Sequence, residues 1–416
     1  MRLLYTLLLY LALPFILLRL LWRSRRLPAY RKRLRERFGY YPTVYSARRI
    51  WWLHAVSVGE MVAAKPLVQA LLDQYPTIAI LLTTITPTGA QQAAALLSDR
   101  VQHVYLPYDY PFAMRRFIAQ FKPEVGIIME TELWPNLLAI WRKQRQKCPI
   151  FLLNARLSLA SSRGYRRMGG LTQTMLRTFT AIAAQSAADA ERFIELGALP
   201  EQVTVTGNIK FDVPLPADLA ARAALFKRQL GDRLIWVAAS THAGEEEQML
   251  AAHQIILAEH PHALLILAPR HPDRFAAVIN RCQLQLAAGS VHVVDKLGEL
   301  MLMYAVADIA FVGGSLIPQG GHNLLEPAAL AKPIISGPHL FNFVAISNLL
   351  KEANALTIVE NADELAKAVL ALQADPALAR AQGAAAVAVV KANQGVLARQ
   401  LAVVQLKVQV PSLAGC

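Results

Sequence analysis

The chain has 416 residues, 55% hydrophobic and 17% charged, with 43 Lys+Arg against 29 Asp+Glu and a formal net charge of +14. That length exceeds one ordinary core and suits two domains of about 150–200 residues each, and the hydrophobic content excludes a disordered chain. Three cysteines (Cys148, Cys282 and Cys416) are too few and too scattered for a disulfide scaffold or a cysteine zinc site.

The charge is uneven. Residues 1–40 hold ten basic side chains and one acidic, Glu36, so they carry +9 and the other 376 residues only +5. Leu3 to Leu18 is uncharged, and with Arg19 to Trp22 the stretch approaches the roughly 20 residues needed to cross a bilayer. A cleaved signal peptide would carry its positive charge before the apolar core and a small-residue site after it. Here the charge follows the core, so the reading is an uncleaved anchor that leaves Arg23 and everything beyond it in the cytoplasm. A monotopic helix is the alternative, because the segment is short and Pro14 would kink it. Arg31, Lys32, Arg33, Arg35 and Arg37 could grip anionic lipid head groups, or only set topology. With the body nearly balanced, nucleic acid is not an expected partner.

From residue 50, short β-rich runs alternate with Ala- and Leu-rich helical stretches. The strands expected in the first half are RIWWLHAV, TIAILLTT, HVYLPYD, EVGIIME, CPIFLLN and AIAAQS. The pattern breaks at QVTVTGNIKFDVPLPAD, where Pro214 and Pro216 suggest a linker. It restarts with RLIWVAAS, ALLILAPR, VHVVDK, DIAFVGG, KPIISG and ALTIVE, and helices over 362–374 and 376–406 close the chain. Such alternation predicts α/β architecture with parallel sheets covered on both faces. The expected division is a membrane anchor over 1–22, a basic juxtamembrane segment over 23–49, a first Rossmann-like domain over 50–212, a linker over 213–220 and a second over 221–416, with a cleft between the domains.

Polar runs stand at the strand ends, where ligands of open α/β sheets bind beside helix N-termini. His54-Ala-Val-Ser57-Val-Gly59-Glu60 ends one strand and opens a helix. Gly59 would allow a tight turn, and Glu60 would face the cleft or simply complement the helix dipole. Thr83-Thr84-Ile85-Thr86-Pro87-Thr88-Gly89 offers hydroxyls for a polyol or an anion, and threonine is equally an ordinary cap. Glu130-Thr131-Glu132-Leu133-Trp134-Pro135-Asn136 pairs carboxylates suited to acid/base work. Asn154-Ala155-Arg156-Leu157-Ser158 repeats the theme, and Lys210 before the linker could neutralise a phosphate or carboxylate. In the second half, Ser240-Thr241-His242 with Gly244-Glu245 and Pro269-Arg270-His271-Pro272 follow the first two strands. Arg270 between prolines suits bidentate anion binding. Gly313-Gly314-Ser315 and Gly320-Gly321-His322-Asn323 flank a loop before Leu324-Leu325-Glu326-Pro327. It is neither a Walker A loop nor a dinucleotide fingerprint. None of the histidines shows metal-ligand spacing.

HAVSVGE, ETELWPN, NARLS, TGNIKFD, STHAGEE, APRHPDRF, FVGGSL and GGHNLLEPA resemble the 3-deoxy-D-manno-octulosonic acid (Kdo) transferases of the Gram-negative inner membrane, over nearly the whole chain. The resemblance implies a glycosyltransferase B fold of two Rossmann-like domains. It also implies transfer of Kdo from CMP-Kdo to a lipid A precursor (lipid IVA), with inversion and without a metal or other cofactor. By similarity Glu60 would be the general base, and Glu130 and Lys210 would stabilise the transition state. Pro269, Arg270, Gly298, Glu299, Leu300, Asn323, Leu324, Leu325 and Glu326 would hold CMP-Kdo, with Glu326 on the ribose. Ser57, Thr86, Thr88 and Gly89 are candidate acceptor or Kdo contacts. Two rivals remain: a membrane-tethered transferase of the same fold using a different nucleotide sugar and lipid acceptor, and a non-catalytic membrane-bound anion-binding protein.

Overall fold

A computed structural model describes residues 1–42, 48–144, 148–286 and 289–408, so Cys416 lies outside the described residues. The chain forms two compact units, the first from Met1–Ile209 with the chain's end from Gly395, the second from Lys210–Gln394.

In the first unit seven parallel strands form one sheet: β1 (Arg49–His54), β2 (Ile78–Thr84), β3 (Val101–Tyr105), β4 (Val125–Met129), β5 (Ile150–Ala155), β6 (Ala181–Ala184) and β7 (Val203–Val205), in the order β3-β2-β1-β4-β5-β6-β7. Helices cover both faces, so strand residues are apolar on both sides, and every residue of β2 is buried. Alternation along β1 splits its side chains: Trp51 and Leu53 enter one core, and Trp52 enters the other beside Trp141 and Phe117. The second unit repeats the plan with β8 (Ile235–Thr241), β9 (Leu264–Pro269), β10 (Val291–Val293), β11 (Ile309–Val312), β12 (Ile334–Ser336) and β13 (Leu356–Ile358), in the order β10-β9-β8-β11-β12-β13. Both sheets therefore reverse direction, between β1 and β4 and between β8 and β11. Such switch points leave a crevice at the carboxyl ends of the strands, and the polar runs stand there.

Three elements differ from the sequence reading. The apolar N-terminus is two helices, Arg2–Leu11 and Leu13–Arg26, with axes meeting at 51°. Pro14 has no N–H for the carbonyl four residues back, so the ladder is interrupted there. Among the described residues no single helix is long and apolar enough to cross a membrane; the bent pair passes that test only together. The first of the two is tied to the body. Thr6 Oγ1 bonds Asn136 Oδ1 at 3.0 Å, and the Tyr110 hydroxyl donates to the Leu9 carbonyl at 3.0 Å.

The expected helix over 376–406 is also two, Pro376–Asn393 and Val396–Gln405, broken where Gly395 adopts φ +81°. Val396 and Val404 of the second piece join the core of the first unit, so the chain's end returns there and does not stay with the domain expected over 221–416. The unit boundary falls at Lys210, and Leu219 of the expected linker is already buried at the start of helix Leu219–Leu230.

The basic cluster is partly internal. Arg37 is buried, donates to the Ile85 carbonyl at 3.0 Å and lies over the Tyr105 ring at 4.5 Å, while Arg33 pairs with buried Glu36 at 2.6 Å. Arg31, Lys32, Arg33 and Arg35 remain exposed.

Candidate active site

In the first unit the site is built on two adjacent helix starts. Ser57 caps helix Val58–Gln74 by accepting from the Glu60 N–H at 3.3 Å. Glu60 folds back on that cap: Oε2 accepts from the Val56 N–H at 2.7 Å, and Oε1 accepts from the Ser57 hydroxyl at 3.0 Å. Thr86 caps helix Pro87–Ala94, accepting from the Gly89 N–H at 3.1 Å and donating to the Val56 carbonyl at 3.3 Å. Thr88 donates to Thr86 at 3.4 Å. Ser57, Glu60, Thr86, Thr88 and Gly89 are thus one network around Val56. Gly59 sits inside the first helical turn without a left-handed φ, so the Ser57 cap and not glycine's freedom makes this turn.

Glu60 is 8% exposed, and burial pushes its carboxyl up to about 7, with the negative charges of Glu130 and Glu132 adding to the rise. Each carboxylate oxygen still has a lone-pair direction to offer a proton donor. Glu130 follows β4 in a left-handed conformation, φ +55°, which is sparsely populated by residues with a Cβ. Burial also raises Glu132, which accepts from the Trp134 indole N–H at 2.8 Å. His54 ends β1 fully buried and is held near 3 by burial, hence neutral. Its Nδ1 lies 2.8 Å from the Thr83 hydroxyl and 3.1 Å from the Thr83 carbonyl. Asn154 (φ +51°) accepts from the Ile209 N–H at 3.0 Å.

In the second unit Glu245 organises the site. It is fully buried and accepts four backbone N–H groups: His242 at 3.0 Å, Gly314 at 2.7 Å, Ser315 at 2.9 Å and Leu316 at 3.0 Å. A side chain at position 313 would meet this carboxylate, since a Cβ there would stand 3.1 Å from Oε2. Beside the loop, the His242 and His322 rings stack within 4° of parallel with Nε2 atoms 2.8 Å apart, so one nitrogen donates and the other accepts. His271 stands edge-on to His242 at 5.2 Å. Burial lowers both stacked rings, His322 to about 4, and the charge of Arg270 adds to it. Both are neutral at pH 7. Pro269 ends β9 and the exposed Arg270 follows, its N–H donating to the Thr241 carbonyl at 2.9 Å. Asn323 accepts from the Leu325 N–H at 3.1 Å and donates to Glu326 at 3.0 Å. Burial raises the Glu326 carboxyl, and Asn323 and Arg270 partly offset it. Gly298 (φ +90°) and Glu299 precede helix Leu300–Val306.

A family model described as 3-deoxy-D-manno-octulosonic-acid transferase (kdotransferase) matches residues 32–213. The 3-deoxy-D-manno-octulosonic acid transferase of Haemophilus influenzae is 42% identical over 419 residues, spanning 96% of this chain and 97% of that protein. The chain belongs to the Kdo transferase family. The 3-deoxy-D-manno-octulosonic acid transferase of Bordetella pertussis is 38% identical, over 84% of this chain and 85% of that protein. Among solved structures, a glycosyltransferase from Rickettsia africae aligns with TM-score 0.55 at 13% identity, over 88% of this chain and 100% of that one. A UDP-N-acetylglucosamine 2-epimerase from Listeria monocytogenes aligns with TM-score 0.58 at 15% identity, over 86% and 96%. These last two speak for the fold alone, and it is the glycosyltransferase B fold expected from the resemblance.

This Kdo transferase is therefore a glycosyltransferase whose candidate residues stand beyond strand ends of both sheets, with Lys210 and Gly298 to Leu300 after the edge strands β7 and β10 and not at the switch points. Glu60 and Glu130 come within electrostatic reach of each other in the first unit. Lys210 opens the second unit, with its ammonium 5.7 Å from the centre of the Phe343 ring. Arg270, Asn323 and Glu326 come together in the second unit, where helix Leu325–Ala329 has only five residues and so a weak dipole. The histidine cluster was not foreseen. His242 and His271 lie just beyond the neighbouring strands β8 and β9, and His322 lies ten residues after β11, brought back by a loop in which the Gly321 N–H donates to the Gly314 carbonyl at 2.7 Å.

Proposed function

We propose that this Kdo transferase moves Kdo from CMP-Kdo to a phosphorylated, acylated disaccharide, the lipid A precursor, at the cytoplasmic face of the inner membrane. The acceptor hydroxyl oxygen attacks the anomeric carbon as the bond to the CMP phosphate breaks. The proton passes to Glu60, CMP leaves, and configuration inverts. The observation that carries this reading is Glu60, a nearly buried carboxylate held by Val56 and Ser57 and poised to titrate near 7. A base is most effective when its pKa lies near the working pH. Glu130 would answer positive charge at the anomeric centre, and Lys210 the charge on the departing phosphate.

Arg270 supplies the fixed positive charge for the donor phosphate or sugar carboxylate, and the neutral His242–His322 pair adds a donor without a second cation. Pro269, Gly298, Glu299, Leu300, Leu324 and Leu325 shape the same end of the sheet, and Glu326 accepts from the ribose hydroxyls. The bent N-terminal pair lies in the membrane interface, where Leu3, Leu7, Leu11, Phe15, Leu18 and Trp22 are exposed. Exposed Arg31, Lys32 and Arg35 then face anionic head groups.

Mass spectrometry of the product from purified protein, CMP-Kdo and the acceptor tests the reading, with a mass increase of one or more Kdo residues expected and no adduct overturning it. Arg270→Ala is expected to raise KM for CMP-Kdo about 10- to 100-fold, because the site loses a charge-assisted contact of about 1.5–3 kcal/mol. Titration of wild type and variant with CMP and with UDP checks this. Equal protection by UDP would favour a different nucleotide sugar.

A further inference from the structure

A cavity of about 410 Å³ opens beneath the first N-terminal helix, within the first unit. Its walls include Leu138 and Ala139 of helix Pro135–Gln144 and Leu171 and Met175 of helix Gly170–Leu176, and Arg2 and Arg142 stand at its edge. Leu138, Leu171 and Met175 are buried, and both arginines are exposed. The volume is that of an ordinary small-molecule site, about 300–1,000 Å³. An apolar interior with a cationic edge fits an amphiphile, with its hydrocarbon inside and its phosphate at the rim. Arg2 is also within electrostatic reach of Asp109, whereas Arg142 has no ion pair among the described residues.

Position narrows the ligand. The cavity's wall starts at Pro135, three residues after Glu132, and Glu132 is close enough to influence Glu60. A bulk phospholipid would be served by any part of the exposed apolar helix face. A lipid whose head lies toward Glu132 would place its chain here.

We propose that this cavity takes an acyl chain of the phosphorylated acceptor, with Arg142 and Arg2 meeting its phosphate. This rests on the lipid-acceptor reading above. The test compares a tetraacylated bisphosphorylated disaccharide in neutral detergent micelles with its deacylated counterpart. Filling the cavity by Ala139→Trp is expected to raise KM for the acylated acceptor about tenfold, with kcat retained and the deacylated acceptor changed less than about twofold. Ala139→Ser keeps the space and is expected to behave as wild type. Thr174→Trp fills the cavity from its other wall and serves if the first variant loses its melting transition. An unchanged KM, or an equal rise with both acceptors, overturns the proposal. So does weakened binding to phosphatidylglycerol vesicles with KM in micelles intact, which would assign the cavity to bulk lipid. Should the wild type transfer Kdo to neither acceptor, the functional reading fails instead. Direct binding of the tetraacylated disaccharide by wild type and Ala139→Trp then still decides the cavity: weaker binding by the variant supports it, and equal binding overturns it.

Discussion

Glu60→Gln is expected to lower kcat for Kdo transfer by about 10²–10⁴-fold, the contribution of a positioned general base. The amide is isosteric with the carboxyl. Its oxygen can keep the 2.7 Å bond from the Val56 N–H and its NH2 can donate to the Ser57 hydroxyl, so the helix cap survives. What is lost is the ability to take a proton. The pH profile separates this from a structural effect. With its carboxyl raised to about 7, the wild type holds Glu60 protonated below that pH, and kcat/KM falls about tenfold per unit as pH drops further. The variant loses that limb. Stability moves the other way: a raised carboxyl pKa favours the folded state fully below about 4.5, and that contribution disappears as pH rises through about 7. The variant is therefore expected to melt no lower than wild type at pH 8. Full activity, or a retained limb near 7, would sink the assignment.

The two sheets were legible because buried parallel strands are apolar on both faces and the helices between them are not. The place of Glu60 in the first turn of a helix after a strand end was legible as a local pattern, but the turn was credited to Gly59 and the Ser57 cap was not read. The remainder needed tertiary partners. Gly395 was read through as helix, since one glycine costs a helix only about 1 kcal/mol. Nothing in VLARQLAVVQ says that its valines pack on the first sheet rather than the second. Arg37 reads as one more cation in a basic run, and only the Tyr105 ring and the Ile85 carbonyl turn it inward. His271 and His322 stand 29 and 80 residues after His242 in sequence, and they meet it because β9 and β11 flank β8 and the loop after β11 folds back.

Glu245 is the strongest case, and its replacement is expected to have the largest effect on stability. From sequence it belongs to the polar run at a strand end and is the first of three consecutive acids opening a helix, with no sign of its burial. In the fold it is fully buried and receives four backbone N–H groups from the turn after β8 and the loop after β11. In Glu245→Gln one oxygen can still accept two of them, and the amide NH2 then faces the other two, donor against donor. Two buried N–H groups are orphaned, each at a cost of about 1–3 kcal/mol. The second unit spans 210–394, a size at which 1 kcal/mol moves Tm by about 2–4 °C, so its transition is expected to fall by about 5–15 °C. Calorimetry reads this directly, and a shift below about 1 °C would show that the loop does not depend on the carboxylate. The same two turns carry His242 and lead to His322, so CMP binding is expected to weaken in parallel, measured at a temperature where the variant is still folded. Loss of Tm without loss of CMP affinity would mean that Glu245 holds the scaffold but not the anion site. The comparison with Arg270→Ala, which should weaken CMP binding at an unchanged Tm, distinguishes a residue that meets the ligand from one that positions the backbone around it.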